Sequence, residues 1–381
     1  MEFGVVPMPK RNVLVFSQRA IQTNASRCSG YEFEDVICDL EGGDLAVARP
    51  SKGYDRKFRA RRWMSKRSGL FRHLPSCADH GPLQEDYDLF VCGIQKPLEL
   101  LTLDAIPNWR ERSRLAVCVI EELWLTTIDQ FRPLVKTLSE FDLITCAFAG
   151  SCKELSRLTG RPVIHLPGAA GMLRFADDRP SNERPVDVYY MGRRREDLHQ
   201  ELLKLLGARD EFYIYDTGVG APVVTDHVAH RDYFASLVQR SKIFVVDYAK
   251  IGHVDQIRGE IAWGPRHVEG MAGGAAQVGY APDTADYLSH FDWPEAVSRL
   301  PEDPAEAARE IAALLDAPDE IDRRRAINLR NALMRHDWLH RWALILDHFG
   351  LSETPTMKTR RQCLRDRSPA SATAGASRMT G

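Results

Sequence analysis

No apolar run in this 381-residue chain approaches the roughly 18 residues that a bilayer span requires. The opening MEFGVVPMPKRNVLVF has no basic region followed by an apolar one, so no signal peptide is expected. No Cys-x-x-Cys pair occurs, which removes the dithiol redox motif and the paired-cysteine zinc site. The eight cysteines are scattered, several in apolar stretches such as DLFVC and LAVCVI, as reduced core cysteines would be. Neither sign of charge dominates: the formal net charge is −2, which argues against a surface devoted to nucleic acid. G-x-x-x-x-G-K-[ST] is absent, so no P-loop is expected, and no G-x-G-x-x-G follows the first strand, which weighs against a dinucleotide cofactor. G-x-S-x-G and H-E-x-x-H are missing too. The acid pair of Asp86-Tyr-Asp88 leads into a strand rather than following one, so no metal site and no resident cofactor are expected.

What is present is ordinary in bulk, with 44% hydrophobic and 27% charged residues, and the length suits two domains with a core each. Short apolar runs at Asn12–Ser17, Asp88–Cys92, Leu115–Ile120, Leu143–Cys146 and Val163–Leu166 read as buried strands. Helix-like segments separate them, including Tyr31–Leu40, Leu98–Ile106 and Ser151–Leu158. Such alternation argues for a parallel sheet covered on both faces. Residues 168–185 are rich in Gly, Pro and charge and read as an interdomain linker. A second series follows with strands at Val186–Met191, Phe212–Tyr215, Ile243–Val246 and Ala276–Val278. Pro304–Leu315 reads as a helix capped by Asp303, and Asp319–Met334 as another. Trp338, Trp342, Ile345 and Phe349 recur at helical spacing. The expected division is an N-terminal domain 1–175, a C-terminal domain 176–335, a closing helix 336–351 and a polar, disordered tail 352–381.

The stretch Gly259–Pro294 carries the most chemical information. Glu269 opens the small-residue run Glu-Gly-Met-Ala-Gly-Gly-Ala, and an apolar strand follows at once. Small residues such as Gly270 and Gly273 let a ligand approach a helix start closely, where free N–H groups meet phosphate and a carboxylate meets sugar hydroxyls. The alternative is a helix-start carboxylate that complements the macrodipole. Arg193, Arg194 and Arg195 follow a strand, where guanidinium forks suit a diphosphate or stand as a solvated basic loop. Asp247, Tyr248 and Lys250 also lie just beyond a strand's carboxyl end, the usual place for ligand contact in open α/β sheets. Gly252–Arg266 reads as a flexible loop over the cleft, and His267 as a surface histidine.

The run R-H-V-E-G-M-A-G-G-A resembles the donor segment of group 1 glycosyltransferases of the GT-B fold. VDVYYMGRRR, SKIFVVDYAK and the His336-Asp-Trp segment resemble other parts of that family's C-terminal domain, so the likeness covers roughly residues 185–350. It implies two Rossmann-like, doubly wound domains facing a cleft, with a C-terminal helix crossing back to the N-terminal domain. It implies transfer of a sugar from a nucleotide-sugar, as co-substrate, to an acceptor hydroxyl, metal-independent and retaining. Glu269, Arg193 and Lys250 become the catalytic candidates. Arg194, Arg266, Glu260, Asp247, Tyr248, Gly270 and Gly273 become the donor-binding ones. Two departures stand out: Ile261 occupies the place of the family's first Glu, with Glu260 adjacent, and Leu198 that of a phosphate-loop Lys.

On the N-terminal side Glu121, Glu122 and Trp124 follow a strand, and by fold position Glu122 and Trp124 are the acceptor-side candidates; the alternative is a helix start with a capping acid. The loop SQRAIQTNASRC stands where many relatives carry Gly-Gly. Arg49–Arg72 holds ten Lys or Arg against Asp55, with Tyr54, Phe58, Trp63 and Phe71 interleaved. That run is either a contact for an anionic membrane or polyanionic acceptor, or a solvated helix face. The expected partners are a nucleotide-sugar and a glycan, lipid-linked or small-molecule acceptor, without nucleic acid. The expected location is the cytoplasm or the inner face of the membrane. The alternative function is a non-catalytic sugar-nucleotide or glycan-binding protein of the same fold.

Overall fold

The computed structural model describes residues 11–217, 220, 222–252, 257 and 260–369. The chain forms two compact units. Unit 1 comprises Met1–Gly168, Gly220–Val228 and Gly350–Met357; unit 2 comprises Ala169–Val219, Ala229–Phe349 and Lys358–Gly381.

Unit 1 contains strands β1 (Val13–Ser17), β2 (Asp44–Val47), β3 (Arg49–Pro50), β4 (Ala78–Asp79), β5 (Tyr87–Ile94), β6 (Ser113–Ile120), β7 (Leu143–Cys146) and β8 (Val163–His165). Six of them form a parallel sheet in the order β2-β1-β5-β6-β7-β8, while β3 and β4 pair as a small antiparallel ribbon. Every residue of β1 is buried, as the unbroken apolar run VLVF requires of a strand covered on both faces. Trp109 stacks on Phe90 and on Phe141 at 4.8 Å each, which ties β5 to the segments beyond it. Cys92, Cys118 and Cys146 are buried free thiols in adjacent strands. The helix after β1 runs Cys28–Glu41 and stops at Gly42, whose φ of 60° donates its N–H to Cys38. The expected helix near 98–106 is a 3-10 helix, Pro97–Ala105.

Unit 2 carries β9 (Val186–Tyr190), β10 (Tyr213–Tyr215), β11 (Ser241–Asp247), β12 (Ala276–Tyr280) and β13 (Ser298–Arg299), all parallel in the order β10-β9-β11-β12-β13. Val188, Ile243, Val245 and Val278 meet Leu198 and Leu202 from the helix Glu196–Ala208, and Ile311 from the helix Pro304–Leu315. Asp303 caps the latter helix by accepting from the Glu306 N–H at 2.8 Å.

Two stretches depart from the sequence reading. The presumed linker is packed: Ala169, Ala170, Met172 and Phe175 are buried, and Arg184 is shut among carbonyls. Its Gly, Pro and charge content resembles a linker, yet the charges serve internal bonds. Of the tail 352–381, expected to be disordered, Pro355–Asp366 forms a helix, while 370–381 lie outside the described residues. Met357 and Leu364, two turns apart, are both buried and anchor it. The helix Trp338–His348 lies in unit 2, and the segment after it, Gly350–Met357, groups with unit 1. Among the described residues no helix is long and apolar enough to cross a membrane.

Candidate functional site

The carboxyl ends of β9, β11 and β12 in unit 2 gather most of the donor-side candidates. The order β10-β9-β11 reverses direction between β9 and β11, and such switch points open a crevice beyond the strand ends. Gly192, at φ 83°, turns the chain after β9 and gives its N–H to Asp216 Oδ2 at 2.8 Å. Arg194 donates Nη1 to the Asp216 carbonyl at 2.5 Å and lies 5.4 Å over the Tyr215 ring. Arg193, on the same loop, is exposed.

Glu269 sits in the helix Arg266–Ala272 with no solvent exposure. Arg231 Nη1 donates to its Oε1, and Arg266 Nη1 donates to its Oε2 at 2.8 Å. Burial alone would raise this carboxyl; the two guanidiniums outweigh it and hold the group below its ordinary value. The carboxylate is therefore committed to arginines, and the group presented to solvent is Arg266, with its side chain 38% exposed over the Phe234 ring. Burial, then Arg231 and Arg266, hold His230 below its usual range. Arg231, His230 and Asp216 were not singled out from the sequence; an Arg inside a helix with otherwise unremarkable patterning offers little signal.

Gly270 and Gly273 are small for a packing reason. A Cβ on Gly270 would lie 2.5 Å from Phe244 Cδ1, and one on Gly273 would lie 2.3 Å from Val238 Cγ1. The space beside them is filled by side chains of the sheet and a neighbouring helix. Arg184 Nη1 binds the Gly273 carbonyl at 2.9 Å, and Arg325 Nε binds that of Gly274 at 2.5 Å, so the helix end is fixed by two arginines. His267, expected at the surface, is fully buried, and burial lowers it to about 4.

Asp247 ends β11 in a second polar group. Tyr190 donates its hydroxyl to Asp247 Oδ2 and accepts the Arg195 N–H at 2.9 Å. Asp247 Oδ1 is buried without a hydrogen bond. Burial pushes the carboxyl up to about 7, against the opposing pull of Tyr190 and Arg195. Tyr248 is half-buried against the core, and Lys250 holds a left-handed φ of 59°. Glu260 and Ile261 are partly and more fully exposed respectively. Of the expected cleft loop, residues 253–256 and 258–259 lie outside the described residues.

In unit 1 the acceptor-side reading changes. Trp124 is 3% exposed, with its ring 4.4 Å from Phe148 and its indole N–H donated to Glu122 Oε1 at 3.1 Å. It has no open face for a sugar: the apolar ring is worth more in the core than on the surface. Glu122 holds this indole and lies 3.7 Å from Lys96.

Comparison with known proteins shows the fold. The chain matches an alpha-glucosyltransferase in complex with UDP and a 13-mer DNA containing a HMU base. The match covers 90% of this chain and 100% of that one, with TM-score 0.58 and 11% identity. The alpha-glucosyltransferase in complex with UDP-glucose and DNA containing an abasic site gives 0.54 at 10% identity, over 90% and 99% of the chains. HepE of Anabaena in complex with UDP gives 0.48 at 11%, over 89% and 99%. No curated protein matches the sequence. The fold is GT-B. Residues 193–347, less than half of the chain, match the family described as glycosyl transferase-like.

Proposed function

We propose that the protein moves a sugar from a UDP-sugar to an acceptor hydroxyl, without a metal and with retention. The observation that carries this reading is the coincidence of the family match, 193–347, with the arginines gathered at the strand ends of unit 2. The UDP and UDP-glucose in the complexes of structurally similar proteins support uridine as the base. Arg193, Arg194, Arg266 and Lys250 would stabilise charge on the departing diphosphate. Glu269 would act through Arg266 by fixing its guanidinium, and Asp247 Oδ1 would accept from a donor hydroxyl. Thermal-shift titration with UDP, GDP, dTDP, ADP and NAD, in EDTA, tests the donor site: stabilisation by UDP alone is the expected result. No shift with any nucleotide would remove the donor reading and favour a glycan-binding role. The anomeric configuration of the product, read by NMR, tests retention.

The same reading places the acceptor at a membrane surface. Trp63 and Leu70 are 56% and 59% exposed, beside Arg62, Lys66 and Arg67. A groove of about 450 Å³ next to them is lined by Arg67, Arg72, Arg132 and Lys136, with Glu140 the one acid. Exposed aromatic and aliphatic groups set among cations suit an anionic lipid surface. Co-sedimentation with phosphatidylglycerol vesicles, lost in a Trp63→Ala/Leu70→Ala variant, is the expected result. Binding to duplex DNA in preference to vesicles would overturn it.

A further inference from the structure

The basic groove of unit 1 has two walls, each pinned to the core by its own buried residues. The first wall follows the helix Tyr54–Ser65 and continues through the 3-10 turn Gly69–His73. Arg61, fully buried, pairs with Asp104 and donates Nη1 to the Leu74 carbonyl at 2.7 Å. Its guanidinium lies 5.6 Å from the centre of the Phe71 ring, itself 2% exposed. This clamp fixes the turn and leaves Arg67 and Arg72 at the surface. The second wall is the short helix Arg132–Val135 and the 3-10 turn Lys136–Glu140. Leu134, Val135 and Leu138 are buried there, and Arg161 Nε donates to the Ser139 carbonyl at 2.6 Å. Arg132, Lys136 and Glu140, spaced four apart, line the groove. Arg72 joins the walls: its Nη1 donates to Glu140 Oε1, and its Nη2 to Oε2 at 2.7 Å.

The charges inside the groove do not balance. Glu140 is the one acid lining it, and both its oxygens go to Arg72. Arg67 meets no carboxylate: its guanidinium lies 4.0 Å from the centre of the Trp63 ring, and Nη1 donates to the Trp63 carbonyl at 3.1 Å. Arg132 meets Asp129, which does not line the groove and whose side chain is 78% exposed. Lys136 has no hydrogen bond or ion pair among the described residues. Ser68 Oγ accepts the Leu70 N–H at 3.3 Å, which leaves its own proton to donate. Arg67, Arg132 and Lys136 thus share one groove without an acid, and their mutual repulsion is relieved by an anion. Guanidinium forks beside an ammonium and a hydroxyl suit the tetrahedral oxygens of phosphate. The volume of about 450 Å³ falls in the range of small-ligand pockets, roughly 300–1,000 Å³. A nucleic-acid track instead spreads its cations along many phosphates.

We propose that this groove binds one phosphate group, borne by a soluble ester or by a lipid head group, through Arg67, Arg132, Lys136 and the Ser68 hydroxyl. These residues are other than those of the donor reading. The proposal deepens the membrane reading by naming the group recognised, and its lipid source rests on that reading.

Calorimetric titration of the full chain with inorganic phosphate and with glycerol 3-phosphate tests it, with UDP present to fill the donor site. Malonate, a dianion without tetrahedral oxygens, is the control. Phosphate and its ester should bind, and malonate should bind about tenfold more weakly or worse. Lys136→Ala and Arg67→Ala should each weaken phosphate about tenfold or more and leave the melting temperature unmoved, since neither side chain holds an acid. Arg193→Ala should leave phosphate binding as it is. Malonate bound as well as phosphate, phosphate affinity retained by both groove variants, or duplex DNA bound in place of phosphate would overturn the proposal. Co-sedimentation with phosphatidic acid vesicles, competed by glycerol 3-phosphate, is the result expected of a lipid source. Phosphate bound in the groove without any vesicle binding would support the site for a soluble ester and sink the membrane reading alone.

Discussion

Arg231 and Glu269 face each other out of solvent, their side chains 2% and 0% exposed, with Arg231 Nη1 donating to Glu269 Oε1. The pair sits beneath Arg266, which donates to the other carboxylate oxygen. Removing the acid leaves a guanidinium buried without its counter-charge. Glu269→Ala should therefore cost about 3–5 kcal/mol, and Glu269→Gln less, because the amide oxygen still accepts one bond. Because the carboxyl is held below its ordinary 4.5, its stabilising contribution is complete above that value and is lost as pH falls further. Urea unfolding from pH 3 to 7 should show a shallower acid limb in Glu269→Gln than in the wild type. Equal limbs would count against the pair as a stability device.

Asp247 has the opposite sign. Its carboxyl is raised from 3.8 to about 7, so the folded state holds a proton that the unfolded chain releases. Stability should fall as pH rises from about 3.8 through about 7. Asp247→Asn keeps an oxygen for the Tyr190 hydroxyl and carries no charge. It should raise Tm above neutrality by roughly a few degrees and flatten the slope between pH 4 and 7. If Asp247 Oδ1 contacts the donor, the same variant should weaken UDP-glucose more than UDP.

Arg193 and Arg266 separate binding from folding. Arg193 is exposed, and no hydrogen bond or ion pair holds it among the described residues. Arg193→Ala should change stability by less than about 0.5 kcal/mol. If the guanidinium meets the diphosphate, UDP affinity should drop about 10- to 100-fold, the value of one charge-assisted hydrogen bond. Arg266→Ala should weaken UDP similarly and also destabilise the fold by stripping one partner from Glu269. Calorimetric UDP titration alongside thermal melts checks both; unchanged affinity in both variants would remove these arginines from the site.

The C-terminal helix from Lys358 onward should behave as part of unit 2. Arg360 clasps Asp337 through two bonds, Nε to Oδ1 at 2.7 Å and Nη2 to Oδ2 at 2.8 Å. Asp337 is fully buried and also accepts the N–H groups of Leu339 and Met172, both at 2.9 Å. Leu364→Ala should cost about 2–4 kcal/mol, and truncation after Ser352 more. Truncated protein that melts at the wild-type temperature would show the helix to be dispensable.

Much of this was legible in advance because it depends on local pattern. Apolar runs such as VLVFS and SKIFVVD are strands wherever both faces are covered, and Asp303-Pro304 starts a helix by cap and ring geometry alone. The segment around Glu269 was recognisable because its residues lie next to one another in the chain. Arg266, one turn earlier, could be read as a partner, but Arg231 could not: it is 38 positions away, and a lone arginine in a helix carries no mark of the carboxylate it will meet. Glycines 270 and 273 show the same limit, since smallness fits a ligand and a neighbouring side chain equally well and the tertiary packing chose the latter.

The sequence by itself determined the alternation of strands and helices, two sheets' worth of them, and the likeness of residues 193–347 to the glycosyl transferase-like family. Periodicity and short motifs encode these, and both are short-range. Tertiary structure decided which charges are spent inside the fold. It turned a presumed linker into the arginine clamp at Gly273, and a polar tail into a helix held by Asp337. Burial and pairing arise between residues far apart in sequence, and a charge reads the same in the chain whether it will be solvated or locked away.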